Sequence, residues 1–137
     1  MPNIVENVVR VLGSKEHQRK FYFHMGDKFD LEKITPMPKD CYQGNLGEEQ
    51  RRMCVEKGIP NWYDWSRANW GTKWNTWEHR CVFKETETHG TLIYLLEYYF
   101  HTAWAPPYIA LRQLRKDWPQ LPFFGECQIE GDEEYDF

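Results

Sequence analysis

The chain has 137 residues, of which 41% are hydrophobic, 17% aromatic and 28% charged, and this length and composition predict one globular domain with its own core. No apolar run reaches the ~20 residues of a membrane span, and the first residues, MPNIVENVVR, show no signal-peptide pattern, so we expect a cytoplasmic protein without a membrane partner. The net charge of −4 is a C-terminal feature, because the last twelve residues hold six acids and no base. Residues 130–137 are therefore expected to form an acidic tail.

The N-terminal half begins with a strand and a helix. Residues 3–12 alternate between apolar and polar side chains, which predicts a half-buried strand. Ser14 is a suitable N-cap for a helix over residues 15–25, which Gly26 would end. Alternation over residues 29–38 predicts a second strand or part of an insertion, and residues 48–57 predict a helix ended by a glycine.

The C-terminal half is predicted as a hairpin, a helix and a last strand. Two strand-like runs, 81–88 and 91–101, flank His89-Gly90, which is typical of a hairpin turn. A helix follows Pro106-Pro107, and residues 121–130 return as a strand. With the middle segment set aside, which includes residues 29–38 and an insertion at about 39–80, the order is βαββαβ. This order predicts a single α+β domain of the ferredoxin-like class, residues 1–137, with an antiparallel sheet and two helices on one face.

The predicted insertion carries five of the seven tryptophans, in the run PNWYDWSRANWGTKWNTW at residues 60–77. On a helix begun by Pro60, Trp62, Trp65 and Trp70 fall within an arc of about 140°, the width of a core-facing stripe. We expect these three and Trp104 to form a structural aromatic cluster. An exposed protein-binding surface and a stacking platform for nucleic-acid bases are the alternatives, and Trp74 with Trp77 are the candidates for exposure.

Three stretches, NWYDW (61–65), NWGTKWN (69–75) and TAWAPP (102–107), resemble the YubB family of ferredoxin-like domain proteins. The similarity follows the whole chain in order and includes the opening Met-Pro-Asn. The resemblance implies a ferredoxin-like fold without an iron–sulfur cluster, in a protein encoded mostly by bacteriophages and mobile plasmids. The family supplies no catalytic residues.

No motif predicts an enzyme, a cofactor or a metal site. Glu97 and His101 lie on one face of the same predicted strand, but residues i and i+4 of a strand are about 13 Å apart, too far for an acid–base pair. The sequence contains no nucleophile elbow, phosphate loop or HExxH. The possible zinc ligands, which match no familiar spacing, are Cys41, Cys54, His79 and Cys81.

The leading hypothesis is a non-enzymatic phage or plasmid accessory protein, acting in the bacterial cytoplasm. It would bind and inhibit or redirect a host defence protein with a basic surface, such as a CRISPR effector or restriction enzyme. A tail that only aids solubility is the simpler interpretation, but its two aromatic residues favour docking. The expected contact residues are Trp74, Trp77, Glu130, Asp132, Glu133, Glu134, Tyr135, Asp136 and Phe137.

The alternative function is a single-stranded DNA- or RNA-binding module in phage or plasmid replication. Ferredoxin-like sheets can bind RNA through aromatic side chains on their open face. The sequence pI of about 5.7 argues against a surface that follows phosphates. The open face predicted from the alternation is mixed and partly acidic, and carries Glu6, Arg10, Lys84, Glu97, Glu126 and Gln128.

Overall fold

The structure is a computed structural model that describes residues 3–129 and 134–137. Over these residues, four α-helices pack with a five-stranded antiparallel open sheet of order β2-β3-β1-β4-β5. The elements in chain order are β1 (Ile4–Val11), α1 (Lys15–Met25), a 3₁₀ turn (Leu31–Lys33), α2 (Glu48–Lys57), α3 (Trp62–Asn69), β2 (Trp77–Thr88), β3 (Thr91–Ala103), α4 (Tyr108–Asp117), β4 (Phe123–Ile129) and β5 (Glu134–Asp136).

The predicted α+β class is confirmed, and the helical insertion is present as α2 and α3. The ferredoxin-like order itself is not confirmed. In the described residues β5 adds a fifth strand beside β4, and the helices number four when α2 and α3 of the insertion are counted.

The core lies between one face of the sheet and the helices. On β1, Val9 and Val11 are fully buried and stand opposite Tyr98 and Leu96 of β3. Phe21 of α1 meets the Tyr98 ring edge to face at a centroid distance of 6.0 Å. Such aromatic contacts dominate the apolar area of a core. Further buried members are Met25, Phe29, Leu31, Trp70, Phe100, Ala110, Leu111, Leu114, Leu121 and Phe123.

Local signals for α1 and for the hairpin are confirmed. The Ser14 hydroxyl accepts a hydrogen bond from the His17 amide at 3.1 Å, which satisfies one free N–H group of the helix start. His89 and Gly90, between β2 and β3, have φ values of 53° and 76°. Two consecutive positive φ values are the geometry of the tight turn that matches the twist of antiparallel strands.

The strand predicted over residues 29–38 is wrong. Residues 31–33 form a 3₁₀ turn, capped by the Asp30 carboxylate, which accepts from the Glu32 amide at 3.0 Å. The backbone here is satisfied by the loop after α3, since Asn75 Oδ1 accepts from the Leu31 amide at 3.0 Å. The alternation of Phe29 and Leu31 therefore reflects a turn pressed onto the core.

The expected acidic tail is also corrected, because its residues Glu134–Asp136 form strand β5 of the sheet. Tyr135 stands opposite Cys127, and the Phe137 amide donates to the Gly125 carbonyl at 2.9 Å. A Cβ at position 125 would lie 2.9 Å from the Phe137 ring, so this packing requires glycine there. Truncation at residue 130 would therefore remove an edge strand. Glu130, Asp132 and Glu133 lie outside the described residues.

Candidate functional site

The face of the sheet opposite to α1 and α4 is open to solvent. Strand pairing places neighbouring side chains on the same side, and Glu6 stands opposite both His101 and Gln128. Arg10 stands opposite Glu97 in the same way. The prediction that this face is mixed and partly acidic is confirmed for all six of its residues, Glu6, Arg10, Lys84, Glu97, Glu126 and Gln128.

A chain of four charged side chains crosses this face from β2 to β4. The Lys84 ammonium lies 2.7 Å from Glu97 Oε1, and Arg10 Nε lies 2.8 Å from Glu97 Oε2. A second guanidinium nitrogen of Arg10 lies 2.9 Å from Glu126. Glu97 is only 2% exposed although no helix covers it. The carboxylate is shielded by its two cationic partners, whose aliphatic stems exclude water.

The charges around Glu97 decide its ionisation. Burial by itself raises the pKa of this carboxyl, but the hydrogen bonds and charges of Lys84 and Arg10 outweigh it and leave the pKa below its usual value. The Glu126 hydrogen bond likewise raises the pKa of Arg10. Glu97 is therefore an ionised structural group at neutral pH and is unsuited to act as a general acid.

Beyond Arg10 the same face becomes acidic toward β5. Asp136 stands directly opposite Glu126, and Glu134 stands opposite Gln128. Glu6 of β1 lies one strand further in, also opposite Gln128. We call Glu6, Glu126, Glu134 and Asp136 the acidic edge. Like charges directly opposite each other across two strands destabilise a sheet, so this concentration works against folding.

The acidic edge borders a shallow groove of about 280 Å³ on the open face. Glu6, Glu126 and Glu134 line it together with Glu78, Tyr99 and His101. Glu78 has a φ of 55° beside an irregularity in the pairing of β2 with β3. The groove can accept a cationic side chain, since four carboxylates line it, and the Tyr99 ring already holds the Arg80 guanidinium at 4.2 Å.

The structure does not bring Glu97 and His101 together. Glu97 engages Lys84 and Arg10, whereas the His101 ring meets the Trp77 ring at a centroid distance of 6.0 Å. The two side chains therefore stand in separate networks, as expected from their spacing on one strand.

The predicted aromatic cluster is present only in part. Trp65 and Trp70 meet edge to face at 5.2 Å and pack with the core. Trp62 lies apart, and its indole N–H donates to the Gly44 carbonyl at 2.8 Å. The assignment of Trp104 to this cluster is wrong, because its side chain is 55% exposed and lines a cleft beside α3 and α4. Helical spacing alone does not include the loop residue Gly44, against which Trp62 packs.

Trp74 and Trp77 form a pair of their own. Their rings meet at a centroid distance of 6.3 Å, and Trp74 is 40% exposed. The Lys73 ammonium lies 4.7 Å from the centre of the Trp74 ring. Of the two, Trp74 is thus the residue that a partner could reach.

The residues expected to form one docking tail lie on opposite faces of the sheet. Glu134 and Asp136 share the open face with Gln128 and Glu126, whereas Tyr135 shares the other face with Cys127. Phe137 is half-buried against the core. The acidic residues of the expected tail and its aromatic residues, Tyr135 and Phe137, therefore lie on opposite faces and cannot form one contact surface.

The cysteines do not form a metal site in the part of the chain that the structure describes. No group of three or more His, Cys, Asp or Glu residues within 3–129 and 134–137 could hold a metal ion. Burial raises the pKa of Cys81 to about 11, which disfavours the thiolate that binds metals or attacks electrophiles. The four thiols are free, and Cys41, Cys54 and Cys127 are buried.

None of the helices within the described ranges combines the length and the apolar character needed to cross a bilayer.

Comparison of the chain with protein-family models, with curated proteins and with solved structures finds no match. The resemblance to the YubB family therefore stays a prediction from the sequence.

Proposed function

We propose that this chain is a non-enzymatic binding protein that docks its acidic edge onto a basic surface of another protein. The observation that carries the proposal is the position of Asp136 directly opposite Glu126. The sheet keeps this unfavourable pair although a neutral residue at position 136 would relieve it and leave the Arg10–Glu126 ion pair intact. Electrostatic complementarity mainly steers encounter and selects partners, so a charge arrangement that works against folding is suited to recognition.

The groove beside the acidic edge supports the same proposal. Tyr99 and His101 lie among its carboxylates, and Tyr is enriched among the residues that dominate binding energies at interfaces. Lys84 pairs with Glu97 and its side chain is half-exposed, so the positive end of the chain of charged residues lies on β2. A basic partner is thus attracted to the β4–β5 side of the face and repelled from the β2 side.

The target class that we propose is a host defence protein, such as a CRISPR effector or restriction enzyme. This part of the proposal rests on the resemblance to phage- and plasmid-encoded proteins and on the basic surfaces that nucleic-acid-directed enzymes present. We also propose a ferredoxin-like sheet with one added strand. In its favour, β1, α1, β2, β3, α4 and β4 follow the βαββαβ order once the insertion and β5 are set aside.

The test compares two doubly substituted proteins of equal charge. Glu134→Lys/Asp136→Lys reverses the acidic edge, whereas Glu56→Lys/Glu87→Lys reverses two exposed acids elsewhere. Phage or plasmid survival is measured in hosts with and without one defined defence system. Co-precipitation with the purified defence protein is measured in parallel.

We expect wild type and the control to protect and to co-precipitate, and the acidic-edge variant to do neither. Equal activity of all three proteins would refute the use of the acidic edge. Absence of protection against every defence system tested, with all three proteins folded, would refute the target class.

A single-stranded nucleic-acid-binding module is the alternative function. The open face does not favour it, because phosphates would meet Glu6, Glu126 and Glu134. Binding to single-stranded DNA or RNA through phosphates weakens steeply with salt. Binding to single-stranded DNA or RNA that is tight at low salt, and that the Glu134→Lys/Asp136→Lys variant retains, would favour this alternative.

A further inference from the structure

A second concave surface lies beside α3, the loop after it, and the loop that joins β3 to α4. This cleft has a volume of about 670 Å³, within the range of small-molecule sites. Three aromatic residues and two cations are among its lining side chains: Tyr63, Trp104, Tyr108, Arg67 and Lys73. None of these residues belongs to the acidic edge.

Buried hydrogen bonds hold the walls of the cleft together. The Thr72 hydroxyl, on a residue 2% exposed, donates to the Ala103 carbonyl at 2.8 Å. The fully buried Ser66 hydroxyl donates to the Lys73 carbonyl at 2.7 Å. The first bond joins segments that are distant in sequence and the second closes the loop after α3, so the cleft is formed before any ligand enters.

The backbone is strained at Trp104, and a glycine at position 71 makes room for the Tyr108 ring. Trp104 has a φ of 74°, an outlier for so bulky a residue, and its amide donates to the Asn3 carbonyl at 2.9 Å. Gly71 has a φ of 86°, and a Cβ there would lie 2.8 Å from the Tyr108 ring. Strained residues cluster where ligands are held. An exposed indole at a strained position serves neither the core nor solubility.

The two cations of the cleft lie against aromatic rings, and the Lys73 ammonium lies 4.7 Å from the centre of the Trp74 ring. Arg67 lies over the Tyr63 ring at 5.3 Å and donates to its hydroxyl at 3.2 Å. Asp64 also lines the cleft, but its carboxylate lies 3.3 Å from Arg51. Among the described residues, no carboxylate lies within ion-pair distance of Arg67 or Lys73. The cleft is thus cationic in a chain whose net charge is −4.

We propose that this cleft binds a nucleoside phosphate group, with the base stacked on Trp104 and the phosphate held by Arg67 and Lys73. Flat aromatic side chains stack on any nucleobase, and Arg and Lys pair with phosphate. An acidic peptide would satisfy the cations but would leave the exposed indole without a flat partner. The same chemistry is offered by a free nucleotide and by a phosphorylated end of a single strand.

The experiment follows the indole N–H signals of the full chain by NMR during titrations. The probes are AMP, adenosine, ribose 5-phosphate and a short 5′-phosphorylated oligothymidylate. Trp104→Gly removes the ring at a position whose φ suits glycine, and Arg67→Gln removes a cation. Phe23→Ala and Arg52→Gln are the matched controls, because Phe23 is 94% exposed on α1 and Arg52 is exposed on α2.

We expect AMP to shift the Trp104 signal and to bind more tightly than adenosine or ribose 5-phosphate. Trp104→Gly should weaken AMP binding roughly tenfold or more. Arg67→Gln should reduce the preference for AMP over adenosine, and both controls should bind as wild type does. A tighter oligothymidylate than AMP assigns the site to nucleic acid, and equal or weaker binding assigns it to free nucleotides.

The proposal is overturned if AMP and adenosine bind equally, or if no probe shifts the Trp104 signal at millimolar concentration. It is also overturned if Trp104→Gly binds AMP as wild type does while its other indole signals stay dispersed. None of these results bears on the acidic edge, whose own test uses different residues.

Discussion

The helix-covered face of the sheet buries Phe21, Tyr98 and Leu111 completely, whereas the open face buries one carboxylate, Glu97, between two cations. The first arrangement depends on apolar area and shape, which respond little to pH or salt. The second depends on ion pairs, which respond to both. The covered face therefore supplies most of the folding stability, and the open face presents the charges to a partner. Substitutions can test each face separately.

The largest expected effect is on the covered face. Phe21→Ala should lower the free energy of unfolding by about 3–5 kcal/mol, because the ring is fully buried against Tyr98, Trp118 and Phe123. Phe23→Ala on the same helix is the control, and it should change stability by less than about 0.5 kcal/mol. Chemical denaturation measures both. Similar losses in the two variants would contradict the assignment of the faces of α1.

An intermediate effect is expected at Glu97. Glu97→Gln removes the charge that holds Lys84 and Arg10, and should lower the free energy of unfolding at pH 7 by about 1–2 kcal/mol. The folded-state pKa of Glu97 lies below its unfolded value, which is about 4.3 for a glutamate. The contribution is therefore complete above the unfolded pKa and is lost as the pH falls through the folded one.

The measurement is denaturant unfolding of wild type and Glu97→Gln between pH 7 and pH 3. Their difference should stay constant down to about pH 5 and shrink below about pH 4. Glu85→Gln is the control, because its pair with Lys15 is long, at 3.9 Å, and exposed. A difference that does not vary with pH would mean that Glu97 acts through packing alone.

Both faces of the sheet could be predicted from local sequence patterns. Alternation on β1 and the turn signal at His89-Gly90 report local properties of the chain, and the sheet keeps both. The same alternation assigned Glu6, Arg10 and Glu126 to the open face, because strand pairing preserves the side of each residue.

Predictions failed where distant segments decide the outcome. Residues 29–33 became a turn because Asn75, more than forty positions away, accepts their backbone N–H group. The acidic segment joins the sheet because Gly125 leaves room for Phe137. Trp104 is exposed because its loop adopts a positive φ that no local pattern signals. The cleft combines α3 with the β3–α4 loop, and its only sequence signals were the dense aromatic residues and the Pro106-Pro107 break.

The smallest expected effect lies at the acidic edge. Asp136→Asn removes a charge directly opposite Glu126 and should raise the free energy of unfolding by a few tenths of a kcal/mol at low salt. The gain should disappear at high salt, because exposed charges are screened. Glu134→Gln is the matched control, since it faces the neutral Gln128 and has no like charge opposite it.

The two variants should differ in stability but agree in binding. Each removes one negative charge from the acidic edge, so each should slow association with a basic partner by a similar factor. A protein that becomes more stable and binds less well would show that the Glu126–Asp136 opposition is kept for recognition. Equal stabilisation by both substitutions would instead assign the effect to net charge, and the cross-strand argument for the acidic edge would fail.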